Sequence, residues 1–147
     1  MSQDMTRGQL EQRTRELYAT LSAVDSRGVR DLDAIAAFFT DDLAYESPFN
    51  ATPRVLNSRE DFIAFLGRLQ GLFVNTKYTF NHFHCDLETQ TVVVECRSTR
   101  QTVATGETIA IRYVFVFRYR DGKIAEMREY TFTTNRETLM RTIDGAR

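Results

Sequence analysis

The second half of the chain consists of four long β-type runs with very little sequence between them. They cover about residues 74–87, 91–103, 107–120 and 123–134, and the letters that separate them are ETQ, ATG and RDG. Connections this short join antiparallel neighbours, because parallel strands need a crossover of a dozen or more residues. The sequence therefore predicts an antiparallel sheet built from consecutive hairpins.

The third run indicates which face of the sheet is covered. Its odd positions, from Ile109 to Tyr119, are all apolar or aromatic, whereas its even positions include three arginines. A period of two with one apolar side is typical of a strand that packs on a core. Val114 and Val116 interrupt the polar side, and we expect a second copy of the chain to cover them in a two-fold homodimer through the outer sheet face.

The first half of the chain carries helical patterns. The predicted helices are residues 9–24, a short helix from Asp31 that includes Phe39, and a helix opened by the capping residue Ser58. A strand of two or three residues is expected around 44–46, and a helical turn near the C-terminus. Helices followed by a meander predict one α+β domain over residues 1–147, in which a curved antiparallel sheet wraps around the N-terminal helices and forms a cone-shaped pocket.

The charge distribution argues against two classes of partner. The net charge is −1 and the arginines are scattered, so we expect no nucleic-acid binding. No apolar run approaches the ~18 residues of a membrane span, and the polar N-terminus is unlike a signal peptide. Cys85 and Cys96 fall inside predicted strands, where they would act as small apolar residues in a reducing compartment. A cytoplasmic protein is expected.

Two motifs resemble one superfamily by their order and spacing. AFFTDDLAYES precedes the sheet, and VFVFRYRDGKIAEMREY lies near the end of the chain. From about Arg7 to Thr134 the sequence resembles the nuclear transport factor 2-like superfamily, which includes polyketide cyclases, ketosteroid isomerase, limonene epoxide hydrolase and scytalone dehydratase. Its ending, REYTFTTN, is most similar to the small phenazine-biosynthesis proteins.

The resemblance implies different positions for the two glutamates of the last run. In the epoxide hydrolase relatives, the residue that matches Glu129 is a carboxylate in the pocket, and the neighbours that match Met127 and Thr131 also face inward. Glu129 is therefore expected to point into the pocket and Glu126 to point out.

Other pocket positions follow from the same resemblance. Tyr45 and Ser47 match a tyrosine and an asparagine that hold a water molecule in the epoxide hydrolase. An ungapped comparison places Cys96 and Ser98 where that enzyme has arginine and aspartate. Its Asp-Arg-Asp chemistry is thus absent, and epoxide hydrolysis is not expected.

An apolar pocket would make Glu129 a candidate catalytic group. Beside Met127, Phe80 and Tyr113 its carboxylate loses hydration, which raises its pKa toward the range of a general acid or base. His82 shares a face of the first long run with Phe80, and on a concave face it would supply a second acid or base. The alternatives are a glutamate paired with an arginine and an ordinary core or rim histidine.

The second long run allows two inward faces. If its even positions face in, Arg100 could hold a substrate carboxylate. A two-residue turn at Thr89 and Gln90 would instead bring Glu95 and Arg97 inward. The tyrosines expected at the pocket wall, as hydrogen-bond donors or as aromatic lining, are Tyr18, Tyr45 and Tyr113.

The first hypothesis is an enzyme without metal or cofactor. No nucleophile elbow, phosphate loop or dinucleotide motif is present, and His82 and His84 in HFHCD are the only histidines, too few for a cupin-like metal site. Acid–base catalysis would then isomerise, cyclise, dehydrate or condense a small, mostly apolar carbonyl compound of secondary metabolism. The second hypothesis is a module of the same fold that only binds a ligand or dimerises.

Overall fold

The computed structural model describes residues 3–48 and 53–145, which form helices followed by a long meander. The elements in chain order are α1 (Arg7–Ser22), α2 (Leu32–Ala36), β1 (Phe39–Ser47), β2 (Arg54–Leu56), α3 (Arg59–Arg68), β3 (Phe73–Asp86), β4 (Thr91–Thr102), β5 (Thr108–Arg120), β6 (Lys123–Phe132) and α4 (Arg136–Asp144). The predicted α+β class is confirmed.

All six strands belong to one mixed sheet with the order β2-β1-β6-β5-β4-β3. β3 to β6 are the predicted antiparallel hairpins, but β1 pairs parallel with β6 and β2 pairs antiparallel with β1. β1 has nine residues where two or three were expected, and β2 was not expected. The polar residues TDD interrupt the strand pattern of β1, so the sequence predicts too short a strand. They lie where the register of β1 with β6 shifts, between Phe39 and Ala44.

The ends of the helices follow from capping residues. Thr6 and Gln9 form a reciprocal capping box, which starts α1 two residues before the predicted position. The Ser58 hydroxyl accepts a hydrogen bond of 3.0 Å from the Asp61 amide and opens α3 as expected. Phe39 is not helical, because α2 ends at Ala36 and the Phe38 carbonyl already accepts the Ile124 amide at the edge of the sheet. The expected C-terminal turn is a helix of nine residues, α4.

A β-bulge in β3 determines which side chains point into the molecule. Tyr78 and Phe80 face inward at even positions, the register shifts between Phe80 and His82, and Phe83 and Cys85 then face inward at odd positions. A bulge inserts one unpaired residue and so reverses the alternation of faces beyond it. The inward positions of β3 thus change from even to odd at this bulge, and a second register shift lies between Val74 and Lys77, near the start of the strand.

Candidate functional site

A cavity of about 130 Å³ lies between the concave face of the sheet and helices α3 and α4. Most of its wall is apolar and includes Phe62, Phe65, Leu66, Ile111, Phe115 and Met127. An apolar cavity of about 150 Å³ accepts a benzene ring, so this volume suits a molecule with one small ring. Polar and charged side chains from several elements border the same space, as in small-molecule sites.

Glu129 and Tyr45 form the acidic side of the cavity. β6 and β1 are neighbouring parallel strands, and the Tyr45 hydroxyl donates a hydrogen bond of 2.6 Å to Glu129 Oε2. Removal from solvent raises the pKa of Glu129, although the Tyr45 hydrogen bond and the charges of Arg100 and Arg54 oppose that rise. Burial also raises the pKa of Tyr45, which therefore keeps its proton and acts as the donor.

Arg100 and Tyr113 lie across the cavity on β4 and β5. The Arg100 Nη2 atom donates to Tyr113 Oη at 2.9 Å and to Ser98 Oγ at 3.1 Å. Its Nη1 atom donates to no group in the described part of the chain, and its Nε atom is buried without a partner there. Tyr113 Oη also accepts from Ser98 Oγ at 3.3 Å, so its own proton can be donated to a ligand.

Three more arginines border the cavity: Arg30, Arg54 and Arg136. The Arg54 guanidinium stacks on the Phe65 ring, with its central carbon 4.2 Å from the ring centre. Burial lowers the pKa of Arg30, and the positive charge of Arg100 lowers it further. Within the described residues, the lining therefore contains four guanidinium groups and one carboxylate, that of Glu129.

The backbone of Arg30 is held by a close contact between two loops. Gly28 has φ +78°, and a side chain there would place its first carbon 2.6 Å from the Phe73 carbonyl oxygen. Only glycine fits both the conformation and the space. Two residues later, the Gln70 side chain accepts from the Arg30 amide at 2.9 Å and donates to its carbonyl at 3.0 Å.

Five of the expected site residues line the cavity: Tyr45, Ser47, Tyr113, Met127 and Glu129. Glu126 lies on the opposite face, where Arg118 Nη1 contacts its Oε1 atom at 3.2 Å. The even positions of β4 face in, so Arg100 reaches the cavity, and Glu95 and Arg97 face out. The catalytic roles stay predictions.

Four expected residues lie behind the lining: Tyr18, Phe80, Cys96 and Ser98. Tyr18 is buried in the core and packs edge-on against Tyr78 and Phe80, with ring centres 4.9 and 5.0 Å away. Cys96 is buried beside Tyr18, and burial raises the pKa of its thiol to about 12, far from a reactive thiolate. Ser98 does not reach the cavity itself, and it supports Arg100 and Tyr113 by hydrogen bonds.

The predicted pairing of His82 with Glu129 is wrong. His82 is exposed, and its cross-strand row continues through Glu95, Val114 and Tyr130 on the outer face. Glu129 belongs to the inner row of Phe115. The β3 bulge is the physical reason, because it turns His82 away from the face of Phe80.

Sequence reasoning misses the arginines outside the sheet. Arg30 lies in the connection between α1 and α2 and Arg136 opens α4, so neither belongs to a periodic strand pattern. The single local signal is Gly28, whose position two residues before Arg30 marks a constrained loop.

Two further findings concern other kinds of site. In residues 3–48 and 53–145 no helix is long and apolar enough to cross a membrane. Over the same residues, no three His, Cys, Asp or Glu side chains group together closely enough to hold a metal ion. The His84 Nε2 atom contacts Glu95 Oε2 at 3.0 Å on the exposed outer face.

Solved structures share this fold. PrhC from Penicillium brasilianum is 14% identical with a TM-score of 0.78, and the match covers 96% of this chain and 91% of that one. A putative SnoaL-like polyketide cyclase from Jannaschia sp. CCS1 is 21% identical with a TM-score of 0.66 and 96% coverage of both chains. An LEH-like epoxide hydrolase from M. tuberculosis is 16% identical, with a TM-score of 0.63 and 92% coverage of both.

Comparison with protein-family models identifies the family, whereas the solved structures show only the fold. No curated protein sequence matches the chain. The family model of the SnoaL-like domain matches residues 15–127, which is most of the chain. The protein therefore belongs to the SnoaL-like domain family, and its fold is the one seen in a nuclear transport factor 2-like structure from Burkholderia pseudomallei.

Proposed function

We propose that the protein is a cofactor-independent acid–base enzyme acting on a small, mostly apolar carbonyl compound of secondary metabolism. The reaction would be an isomerisation, cyclisation, dehydration or condensation, each of which moves a proton near a carbonyl group. The supporting observation is Glu129, a carboxylate with a raised pKa in an apolar cavity, held by the Tyr45 hydroxyl at 2.6 Å. A carboxylate in that state can both accept and return a proton.

The hydrogen bonds of Glu129 leave one oxygen for the substrate. Tyr45 occupies Oε2, whereas Oε1 makes no hydrogen bond with a group in the described residues. Oε1 would take a proton from the carbon next to the carbonyl group and then deliver it to another atom of the same molecule. One positioned acid–base group contributes about 10²–10⁴-fold, which suits a substrate that is already activated.

Tyr113 would stabilise the negative charge that develops on the carbonyl oxygen. Its oxygen accepts hydrogen bonds from Arg100 and Ser98, so its proton can be directed at the substrate. Burial raises the pKa of Tyr113 well above its usual value, so the hydroxyl keeps its proton, and the positive charge of Arg100 partly offsets that rise. Fixed donors in a dry site need no reorganisation when charge appears, and each can contribute about 2.7–4 kcal/mol.

Proton exchange provides the test before the natural substrate is known. Native protein would be incubated in D₂O with a panel of cyclic ketones, enones and their ring carboxylic acids, and deuterium uptake followed by NMR. Glu129→Gln should slow the exchange by about 10²-fold or more, since the amide keeps the shape and loses the base. Glu126→Gln, the same change on the outer face, should leave it nearly unaltered. Equal rates for the two variants would remove Glu129 from the mechanism.

A non-catalytic ligand-binding module is the second candidate. The Tyr18 ring packs on the rings of Tyr78 and Phe115, which line the cavity, so aromatic side chains occupy space beside it. His82, the expected second acid or base, does not reach the cavity. Ligand binding that is tight and unaccompanied by deuterium exchange in the whole panel would favour this module.

The similarity to the small phenazine-biosynthesis proteins is a finer proposal within the family. It is supported by the Arg128-Glu129-Tyr130 triplet, in which the central residue lies in the cavity and both neighbours lie on the other face. Proton exchange on amino-substituted ring ketones, compared with the unsubstituted ketones of the panel, would distinguish this narrower assignment.

A further inference from the structure

Two arginines that share the cavity form no direct ion pair among the described residues, where the lining holds four guanidinium groups against the single carboxylate of Glu129. Arg30 and Arg100 both line it, and each is withdrawn from bulk solvent. Neither takes part in an ion pair within the described residues, and the Arg30 side chain makes no hydrogen bond there. Partly buried like charges are unfavourable unless something neutralises them, so an external anion is the expected complement.

The donors of the pair are arranged for such an anion. Arg100 donates only from Nη2, to the hydroxyl groups of Tyr113, Ser98 and Tyr78, which leaves both protons of Nη1 available. Gln70 holds the backbone of Arg30 through both its amide and its carbonyl group, and the Arg30 side chain borders the cavity. Guanidinium groups bind carboxylates through short charge-assisted hydrogen bonds, and two of them offer more donors than one carboxylate can accept.

We infer that Arg30 and Arg100 form a subsite for the carboxylate of the substrate, which is therefore a small cyclic carbonyl acid. The inference rests on the proposed function, because the acid is the molecule on which Glu129 acts. It extends that function by dividing the cavity into an anion-binding side, formed by the two arginines, and a proton-transfer side at Glu129. The volume of about 130 Å³ limits the acid to about one ring.

The direct test compares two probes of the same shape. Isothermal titration calorimetry with benzoate and benzamide at neutral pH measures the contribution of the negative charge. Native protein should bind benzoate at least about tenfold more tightly, and Arg30→Gln and Arg100→Gln should each reduce that preference by about tenfold. Benzamide affinity should change little, because it depends on the apolar wall. Arg97→Gln on the exposed face of β4 is the matched control and should keep the native preference.

Two outcomes would overturn the subsite. One is equal affinity for both probes, or no binding of benzoate at millimolar concentration. The other is a preference for benzoate that persists in Arg30→Gln. Arg30 is outside the sheet, so this variant decides the question if Arg100→Gln does not fold. Thermal melting checks the folding of each variant.

Glu129→Gln separates the subsite from the proposed catalysis. Benzoate should bind this variant at least as tightly as native protein, because a negative charge has left the cavity. Benzoate preference without deuterium exchange on any acid of the panel would support the subsite and remove the proposed function. Exchange on neutral ketones without benzoate preference would do the reverse.

Discussion

The Tyr45 hydroxyl donates a hydrogen bond of 2.6 Å to Glu129 Oε2 from the strand next to it in the sheet. This contact favours the ionised carboxylate, whereas burial favours the protonated one. The pKa of Glu129 thus depends on a balance that a single hydroxyl group can change. Tyr45 is therefore a positioning residue whose removal should be visible in a pH profile.

Tyr45→Phe should move the acid limb of the pH–rate profile to higher pH. The ring and its packing remain, but the ionised form of Glu129 loses a hydrogen bond, so its pKa rises further. The rate of deuterium exchange as a function of pH would show the shift. In native protein the same limb should lie above the ~4.3 of a solvated glutamate.

Tyr119→Phe is the matched control for that change. The Tyr119 hydroxyl is also buried and lies 2.7 Å from the Thr14 hydroxyl, away from the cavity. This variant should lose about 1 kcal/mol of unfolding free energy and keep the native pH profile. An identical profile in Tyr45→Phe and native protein would show that the hydroxyl does not set the pKa of Glu129.

Glu129→Gln should raise the melting temperature at neutral pH. Because the pKa of Glu129 is higher in the folded protein than in the unfolded chain, the folded state binds more protons between the two values. The stability of native protein therefore falls as pH rises through that window, and the amide avoids this loss. Each kcal/mol corresponds to about 2–4 °C for a chain of this size.

The decisive measurement is how the difference in melting temperature between Glu129→Gln and native protein changes with pH. The advantage of Glu129→Gln should shrink as the pH falls and disappear below the ~4.3 of the unfolded chain, where both states of the native protein are protonated. Glu126→Gln removes an exposed ion pair with Arg118, which contributes at most about 1 kcal/mol, so its melting temperature should change little. If Glu129→Gln melts at a lower temperature than native protein at pH 7, burial of the carboxylate does not destabilise the fold.

We expect a two-fold dimer through the outer face of the sheet. Val114 is 38% exposed there and Phe132 is 66% exposed. Charged side chains of both signs, among them Glu95 and Arg112, surround them. A second copy would bury the apolar side chains, and its charges would complement the rim. Sedimentation at micromolar concentration should show twice the mass of 17.0 kDa.

Phe132→Asp should convert the dimer to a monomer, because it would bury a charge at the interface. Leu87→Asp is the control, since Leu87 is also exposed but lies in the turn between β3 and β4. A single species of about 17 kDa in native protein would be evidence against this assembly.

The sheet is predictable from sequence because its hairpins are local and its inner rows are strongly apolar. β5 shows this most clearly: its alternation identifies Tyr113 and Phe115 as inward residues without any structure. β1 is harder to predict from sequence, because its partner β6 lies about 80 residues away and the polar residues of β1 interrupt the strand pattern.

The inward face of β4 is ambiguous in the sequence because both alternatives are partly correct. Near the turn, Cys85 pairs with Val92, an odd position with an even one, as the short-turn interpretation requires. Beyond the bulge, Phe80 pairs with Cys96 and even positions match. Sequence alone does not reveal the extra residue, so it places His82 on the wrong face. Arg30 is not predicted as a cavity residue, because it lies in a loop and belongs to no periodic pattern.

The bulge also separates the cavity-lining residues of β3 from the residues that pack only on the core. Residues 73–80 border or approach the cavity, whereas Phe83 and Cys85 lie beyond it and pack on the core. Substitutions at Phe73 and Tyr78 would alter which molecules fit, whereas Phe80 packs on Phe83 across the bulge, with ring centres 5.2 Å apart, and belongs with the core. A lineage, or a designer, can thus vary ligand preference in one half of the strand while the other half preserves the fold.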